Sequence, residues 1–165
     1  MNIVNTARLS IRQLTEDDAS VILSLLNSQG FLDNIGDRNV RTLEQAKAYI
    51  QAGPMASYHD FGFGLYLVEL TQTGEAIGMC GLIKRPSLEH IDIGYALLPQ
   101  FCGKGYASEA TAAIMQYGKS LNLGPIVAIV SPHNHASKAV LMKLGLTFNR
   151  SLQLPGDGHE VELYS

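Results

Sequence analysis

The stretch QFCGKGYA, residues 100–107, combines two glycines and a lysine where a strand-like segment gives way to a helix-like one. Gly103 and Gly105 can adopt a positive φ, and their missing side chains let a ligand approach the backbone. Such a turn directs backbone N–H groups and the positive end of a helix dipole at one point, and Lys104 can add charge at its rim. The chemistry predicted for this stretch is the binding of an anion such as a phosphate group.

The stretch matches neither of two common phosphate-binding motifs. In the P-loop pattern, Leu98 would stand at the first glycine and Gly105 at the final Ser or Thr. In the dinucleotide-binding fingerprint, Ser108 would stand at the third glycine, and the motif should follow the first strand of a βαβ unit. Taken alone, the glycines are explained equally well by a structural turn.

The elements that must position this turn follow from periodicity, capping signals and turn residues. The first half of the chain predicts a strand at 8–14, a helix capped by Thr15 with Asp18, a helix capped by Thr42 with Gln45 that ends near Gly53 and Pro54, and a hairpin at 62–84. The second half predicts a strand at 90–98, a helix from Tyr106 to Gly124, a buried strand at 126–130, a helix at 134–145, and a hairpin at 147–165 whose turn is PGDG at 155–158. The order β-α-α-β-β-β-α-β-α-β-β predicts one layered mixed sheet.

Composition limits the function classes. A chain of 165 residues with 46% hydrophobic and 16% charged residues fits one domain, residues 1–165. The net charge of −3 provides no basic stripe for nucleic acid. No apolar run approaches the ~20 residues of a membrane span and residues 1–10 lack signal-peptide features, so we expect a cytoplasmic protein. Cys80 and Cys102 show no zinc-ligand spacing, so no metal is expected.

Three segments together resemble one family. The pattern Gln100-x-x-Gly103-x-Gly105-x-Ala107, preceded by IDIGYALLP and followed by NHASKAVLMKLGL, resembles the GNAT superfamily of acetyl-CoA-dependent N-acetyltransferases. The N-terminal TARLSIRQLTEDDA resembles the ribosomal-protein-type N-terminal acetyltransferase branch. The likeness spans nearly the whole chain. It implies an α/β (α+β) fold: a mixed, mostly antiparallel, twisted sheet flanked by helices, with a splayed strand pair at the cofactor site.

The resemblance implies a set of residues that bind the acetyl-CoA co-substrate. In that family the glycine turn holds the pyrophosphate of coenzyme A, and the strand before it bulges and pairs with the pantetheine arm. The corresponding residues are Cys102, Gly103, Lys104, Gly105, Tyr106 and Ala107 at the pyrophosphate, Gln100 supporting the turn, and Ala96, Leu97 and Leu98 along the arm. Asn134 matches the asparagine that contacts pantetheine, and Ser137 a residue near the thioester sulfur. The alternative is that Asn134 caps the helix and Ser137 is merely exposed.

Transfer of an acetyl group to an amine requires a base, because amines are largely protonated at neutral pH. Asp92 is the first candidate, acting through water, at a position often acidic in the family. His90 lies on the same face of the strand and is the second candidate, since its ordinary pKa is about 6.5. The alternative is that Asp92 orders nearby backbone or faces solvent. Glu109 fits a role at the helix N-terminus, and His159 and Glu160 are outside candidates.

The leaving thiolate needs only a modest proton donor, because its parent thiol has a pKa near 8.5. Many members of the superfamily place a tyrosine seven residues after the motif asparagine, where this chain has Leu141. Ser137, through its hydroxyl or an ordered water, is therefore the predicted donor. The Leu97 or Leu98 amide at the bulge is predicted to stabilise the thioester oxygen.

The resemblance implies that the protein acetylates a primary amine, above all the N-terminus of a protein or peptide. The amine attacks acetyl-CoA directly in a ternary complex with the enzyme. The enzyme itself is expected to be a monomer or a homodimer. One alternative is a small amine such as a polyamine, an amino acid or an antibiotic. The other is a non-catalytic module that binds acyl-CoA. We expect the first two helices and the loops near NIGDRNV and PSLEH to determine the choice of acceptor. Asp33, Asp37 and Glu89 are only weak evidence for a cationic acceptor, because scattered surface carboxylates usually serve solubility.

Overall fold

The computed structural model describes residues 2–155 and 159–165. The strands of the described residues are β1 (Asn2–Asn5), β2 (Leu9–Gln13), β3 (Leu65–Leu70), β4 (Ala76–Ile83), β5 (Ile91–Leu97), β6 (Ile126–Val130), β7 (Phe148–Gln153) and β8 (Glu160–Tyr164). The α-helices are α1 (Ala19–Leu26), α2 (Gln29–Asn34), α3 (Leu43–Ile50), α4 (Ala56–Phe61), α5 (Tyr106–Ser120) and α6 (His135–Lys143). The predicted turn at 155–158 lies largely outside the described residues.

The described strands form one eight-stranded sheet in the order β1-β2-β3-β4-β5-β6-β8-β7. Neighbouring strands are antiparallel except β5 and β6, which are parallel. The chain therefore has the mixed, mostly antiparallel sheet that the sequence predicted. Among the described strands, the single parallel pair follows from the crossover through α5, which returns the chain to the same end of the sheet.

The central strands are apolar because both faces of the sheet are covered. The middle six residues of β4 are all buried. One core cluster contains Ile114 of α5, packed with Leu82 and Ile93. A second contains Ile22 of α1 and Ile50 of α3, packed on the opposite face. This arrangement places α5 behind the sheet and the N-terminal helices in front of it.

The N-terminal half is more helical than the sequence predicted. The predicted end near Gly53 and Pro54 is wrong, because a π-helical turn at Gln51–Met55 carries the chain into α4, which ends at Gly62 with φ 82°. The wider turn accommodates a proline that has no N–H to donate. The sequence analysis also missed β1 and α2: β1 is too short to show a period, and α2 contains a glycine but is held by the buried Phe31.

The parallel pair β5 and β6 separates soon after it begins. Only Ile91 with Ile126 and Asp92 with Val127 are partners in the sheet. Beyond these pairs β6 turns to β8, with Ala128 opposite Tyr164. The splayed strand pair that the sequence resemblance implied is therefore present, and a cavity opens between the two strands.

Candidate active site

The edge of β5 that faces β6 carries backbone groups without a strand partner. The Leu98 N–H donates to the Ile77 carbonyl of β4 at 2.8 Å. Because successive residues of a strand direct their N–H and C=O groups to opposite sides, Tyr95 and Leu97 direct theirs away from β4 and into the cavity. This edge offers alternating donors and acceptors, which an extended chain of amides can pair with.

The strand edge is freed by divergence rather than by a bulge. The register between β4 and β5 is continuous from Ile83 opposite Asp92 to Gly78 opposite Leu97. The predicted bulge is therefore wrong, and the edge becomes free because β6 leaves it. The Leu98 amide is also removed as an oxyanion donor, since it already donates to Ile77. Of the two predicted amides, only Leu97 keeps an N–H directed at the cavity.

Both glycines of the turn adopt the left-handed conformation that favours glycine. Gly103 has φ +75° and Gly105 has φ +82°. Gly105 is the N-cap residue of α5, and none of the side chains that the structure describes caps this helix end. Across the described part of the chain, no residue accepts a hydrogen bond from the backbone N–H groups of 103–107. These five amides lie at the N-terminal end of α5, where the helix dipole is positive, and an arrangement of this kind can bind phosphate oxygens.

Arg8, which lies near the N-terminus and far from this loop in sequence, holds the glycine turn in place. Its guanidinium donates to the Lys104 carbonyl at 3.1 Å and pairs with Glu109 at 2.7 Å. It also lies over the Tyr106 ring, 4.4 Å from the centroid. Glu109 thus stands in the first turn of α5, as expected, and anchors Arg8 as well. The turn is therefore contacted by a segment that sequence reasoning did not connect with it.

Asn134 and Ser137 lie at the start of α6, beside the cavity. The Asn134 side chain caps the helix by accepting from the Ser137 N–H at 3.2 Å. The capping alternative is therefore present, but Ser137 is half-buried rather than exposed, and both residues line the cavity. Leu141 is buried and lines the same cavity where many relatives have tyrosine.

Tyr95 is a site residue that the sequence analysis missed. It lies on β5, lines the cavity and interacts with the Ser137 hydroxyl. Burial raises the pKa of Tyr95, and the interaction with Ser137 acts in the opposite direction. Its phenol is therefore protonated at neutral pH and can donate a proton beside Ser137. The available signal was that Tyr95 lies on the same predicted strand as Asp92 and Gly94.

Asp92 lies in the cavity wall and is only 1% exposed. Its Oδ1 accepts from the Arg85 Nε at 3.1 Å. Burial raises the pKa of Asp92 to about 6, although the charge and hydrogen bond of Arg85 lower it. A carboxylate with this pKa is ionised at neutral pH and basic enough to accept a proton, as a general base should be.

The structure brings six of the fourteen predicted site residues together around one cavity. Those that line the cavity of about 360 Å³ are Asp92, Ala96, Leu97, Cys102, Asn134 and Ser137. Leu98 is buried, Gln100 lies in a short 3-10 turn, and the residues from Gly103 to Ala107 follow Cys102 into the start of α5 without lining the cavity themselves. His90 lies outside the cavity, before β5, with 39% of its side chain exposed. The geometry therefore favours Asp92 over His90.

The cavity is also lined by Tyr49, Arg85 and Ser131, to which sequence reasoning gave no role. Asn34 and Arg38, from the NIGDRNV loop to which acceptor choice was assigned, line it as well, as does His159, which was only an outside candidate. The Ser131 hydroxyl donates to the Asn34 carbonyl at 2.5 Å and ties α2 to the end of β6. Among the described residues, no cluster of three or more His, Cys, Asp or Glu side chains could hold a metal ion. None of the described helices has the length and apolarity of a membrane span.

Comparison with known proteins identifies the class. Residues 8–147 match the model of the acetyltransferase (GNAT) domain. The uncharacterized N-acetyltransferase YoaA of Bacillus subtilis is 32% identical over 146 residues, which are 87% of this chain and 81% of YoaA. The uncharacterized N-acetyltransferase YnaD of the same organism is 31% identical over 144 residues, with the same coverage of both chains.

Solved structures share the fold over the full chain. An acetyltransferase from Agrobacterium tumefaciens has a TM-score of 0.82 and 28% identity, and the match covers 100% of this chain and 94% of that one. A RimL ribosomal L7/L12 α-N-protein acetyltransferase in complex with coenzyme A has a TM-score of 0.83 and 22% identity, covering 99% and 96%. At that identity, the second match concerns the fold.

A splayed mixed sheet with a glycine turn beside the gap is the architecture of an acetyl-transferring enzyme, and the chain belongs to the GNAT acetyltransferase family. Members of this family use acetyl-CoA. The protein is accordingly an acetyltransferase, as the sequence resemblance implied.

Proposed function

We propose that the protein acetylates the N-terminal amine of a protein or peptide, with acetyl-CoA as the acetyl donor, by direct attack in a ternary complex. The observation that carries the proposal is the array of backbone N–H groups at 103–107, which have no acceptor among the described residues, beside the free edge of β5. The array fits a pyrophosphate and the edge fits the amides of a pantetheine arm. A solved RimL acetyltransferase of the same fold supports the choice of acceptor.

The residues of the site divide the work of binding. The amides of 103–107 hold the pyrophosphate, with Lys104 at the rim and Gln100 and Cys102 at the start of the turn. Tyr95 pairs with the pantetheine arm through its backbone N–H and C=O groups and Leu97 through its C=O group, while Ala96 and Asn134 contact the same arm from the cavity wall. When bound, acetyl-CoA supplies the activated acetyl thioester. The chain contributes orientation, which accounts for a large part of the acceleration in such transfers.

The proton transfers are assigned to two sides of the cavity. Asp92 removes the proton of the attacking amine through water, since its pKa of about 6 keeps it ionised at neutral pH. Ser137, next to the protonated Tyr95, donates a proton to the departing sulfur. The Leu97 N–H points into the cavity and stabilises the carbonyl oxygen in the transition state.

The test follows release of free thiol from acetyl-CoA with different acceptors. The panel contains peptides beginning with Ala, Ser or Thr, the same peptides with blocked N-termini and a free lysine, polyamines, and aminoglycosides. We expect turnover with free N-termini, and a fall in kcat of at least tenfold in Ser137→Ala because a proton donor is lost. Ser24→Ala, at an exposed position of α1, is the matched control. Turnover with only the blocked peptides or only the small amines would overturn the choice of acceptor.

A further inference from the structure

The cavity wall formed by Arg38, Tyr49 and Arg85, here called the arginine wall, is positively charged. Asp92 is the single carboxylate among the described residues that line the main cavity, against the two guanidinium groups. A neighbouring cavity shares all three residues of the arginine wall and adds Lys84 and Asp60. Both cavities therefore carry more positive than negative charge where they meet.

Arg85 has hydrogen-bonding capacity left for a ligand. Its Nε bonds Asp92 at 3.1 Å, and this is its one side-chain hydrogen bond to another described residue. A guanidinium has five N–H donors, so both terminal nitrogens can bind a further group. With 29% of its side chain exposed, Arg85 is reachable from the cavity.

Arg38 has no carboxylate partner in the part of the chain that the structure describes. Its guanidinium lies 5.8 Å from the centroid of the Phe31 ring. Tyr49 lines the same cavity as the two arginines: burial raises the pKa of its phenol, while the charges of Arg38 and Arg85 lower it. The phenol is therefore a neutral donor close to both guanidinium groups.

Nearby carboxylates do not neutralise the arginine wall. Asp37 pairs with Arg41 at 2.6 Å, and Asp60 contacts His59 at 3.0 Å. Asp33, Asp37 and Glu89 lie outside the residues that line the main cavity. The scattered acidic residues of the sequence therefore do not create a site for a cationic acceptor.

We infer that the acceptor carries a carboxylate close to its primary amine, and that the arginine wall binds this carboxylate. The inference rests on the proposed function, because it places the amine next to Asp92. Arg85 touches Asp92, and one peptide residue spans at most ~3.3–3.6 Å, so an acidic side chain two or three positions into a peptide reaches the wall. Arginine pairs bind carboxylates through paired N–H groups, whereas they repel polyamines.

The test is a set of peptides that differ only in charge near the N-terminus. Each begins with Ser and carries Asp, Asn or Lys at the second or third position, and free aspartate and asparagine are included. We expect kcat/KM for the Asp peptide to exceed that for the Asn peptide by roughly tenfold, the effect of one charge-assisted contact, with the Lys peptide lowest. The same peptides are titrated by calorimetry into protein loaded with coenzyme A, which measures the preference with or without turnover.

Variants at Arg38 identify the origin of the preference. Arg38→Gln should bring the ratio of the Asp and Asn rates close to one, and Arg38→Glu should make the Lys peptide the better acceptor. Arg150→Gln, on the exposed strand β7, is the matched control and should keep the wild-type ratio. A reversal of preference cannot result from misfolding.

The two proposals fail in different ways. Peptide turnover without a preference for Asp, or equal ratios in wild type and Arg38→Gln, would overturn the carboxylate inference and leave N-terminal acetylation standing. Turnover of aspartate over asparagine without turnover of any peptide would overturn the peptide acceptor and retain the carboxylate. Equal calorimetric affinities for the Asp and Asn peptides would also overturn the inference.

Discussion

At the scale of single residues, burial decides the chemistry of the site. Asp92 and Arg85 are seven positions apart, and only the turn between β4 and β5 brings them into contact. Burial raises the pKa of Asp92 to about 6, and Arg85 prevents a larger rise. The carboxylate is thus ionised in the range where an acetyltransferase works, but its ionisation opposes folding.

Replacement of Asp92 with Asn should separate activity from stability. Loss of a general base lowers kcat by about 100-fold or more. Because the pKa is higher in the folded state than the ordinary 3.8, ionisation of Asp92 costs stability as pH rises from about 4 to about 6. The melting temperature of Asp92→Asn should therefore equal or exceed that of wild type at pH 7.5, with no advantage near pH 4.

The pH profile supplies a second measurement for Asp92. In wild type, kcat/KM should fall as pH drops through about 6, since the protonated carboxyl cannot accept a proton. Asp92 would not be the general base if Asp92→Asn kept full activity, or if kcat/KM of the wild type stayed constant between pH 5 and 8.

At the scale of elements, the glycine turn owes its function to backbone conformation. Gly103 has φ +75°, and a side-chain carbon built there meets nothing within 4 Å. Gly103→Ala therefore introduces backbone strain alone, about 1 kcal/mol, which lowers the melting temperature by about 2–4 °C. We expect KM for acetyl-CoA to rise on the order of tenfold, because relief of the strain turns the amides away from the pyrophosphate.

A second glycine serves as a control for strain. Gly74, in the turn between β3 and β4, has φ +76° and equally open surroundings. Gly74→Ala should lower the melting temperature by the same amount without changing KM for acetyl-CoA. An equal effect of both substitutions on KM would show that the turn acts only through global stability.

The contact between β2 and α5 should also influence acetyl-CoA binding. Arg8 holds the Lys104 carbonyl and the Tyr106 ring without a place in the cavity. Arg8→Gln should raise KM for acetyl-CoA about three- to tenfold, the range for loss of one ordinary hydrogen bond of about 0.5–1.5 kcal/mol, and leave kcat at saturation within about twofold. Initial rates over a range of acetyl-CoA concentrations test this split. An effect on kcat alone would contradict a positioning role.

At the scale of the whole molecule, a charged cluster joins the N-terminal helices to the sheet. Arg12 of β2 bonds both oxygens of Asp18, at 3.0 and 2.8 Å, and lies 3.3 Å from Glu69 of β3. Asp18 also accepts from the Thr15 N–H at 2.9 Å, as the predicted capping box requires. The cluster therefore fixes the start of α1 against the first strands of the sheet.

Asp18→Asn should reduce the free energy of unfolding by about 2 kcal/mol, because it leaves a partly buried arginine without its main partner. Burial alone would raise the pKa of Asp18, but the bonds from Arg12 and Thr15 and the charge of Arg12 lower it overall. The stabilisation is present at neutral pH and is lost as pH falls below the ordinary value of 3.8. Chemical denaturation at pH 7 and pH 3 tests this: a constant difference between the proteins would contradict it.

Much of the fold followed from the sequence because its signals are local. The capping pairs at Thr15 and Thr42 and the glycines of the 100–107 turn act within a few residues. The helix boundary near Pro54 failed because a π turn compensated for the proline, and α2 was missed because the burial of Phe31 outweighs its weak propensity. The prediction of a bulge in β5 was wrong because the pairing of a strand depends on its neighbour as well as on its own sequence.

The sequence by itself determined the family, the glycine turn and the strand that carries Asp92, since dihedral preferences, caps and periodicity reside in neighbouring residues. The tertiary structure alone decided that β6 leaves β5, that Arg8 supports a loop about a hundred positions away, and that the arginine wall faces Asp92. These features depend on how distant segments pack against one another. A free strand edge or a shared cavity exists only after the core has formed around it.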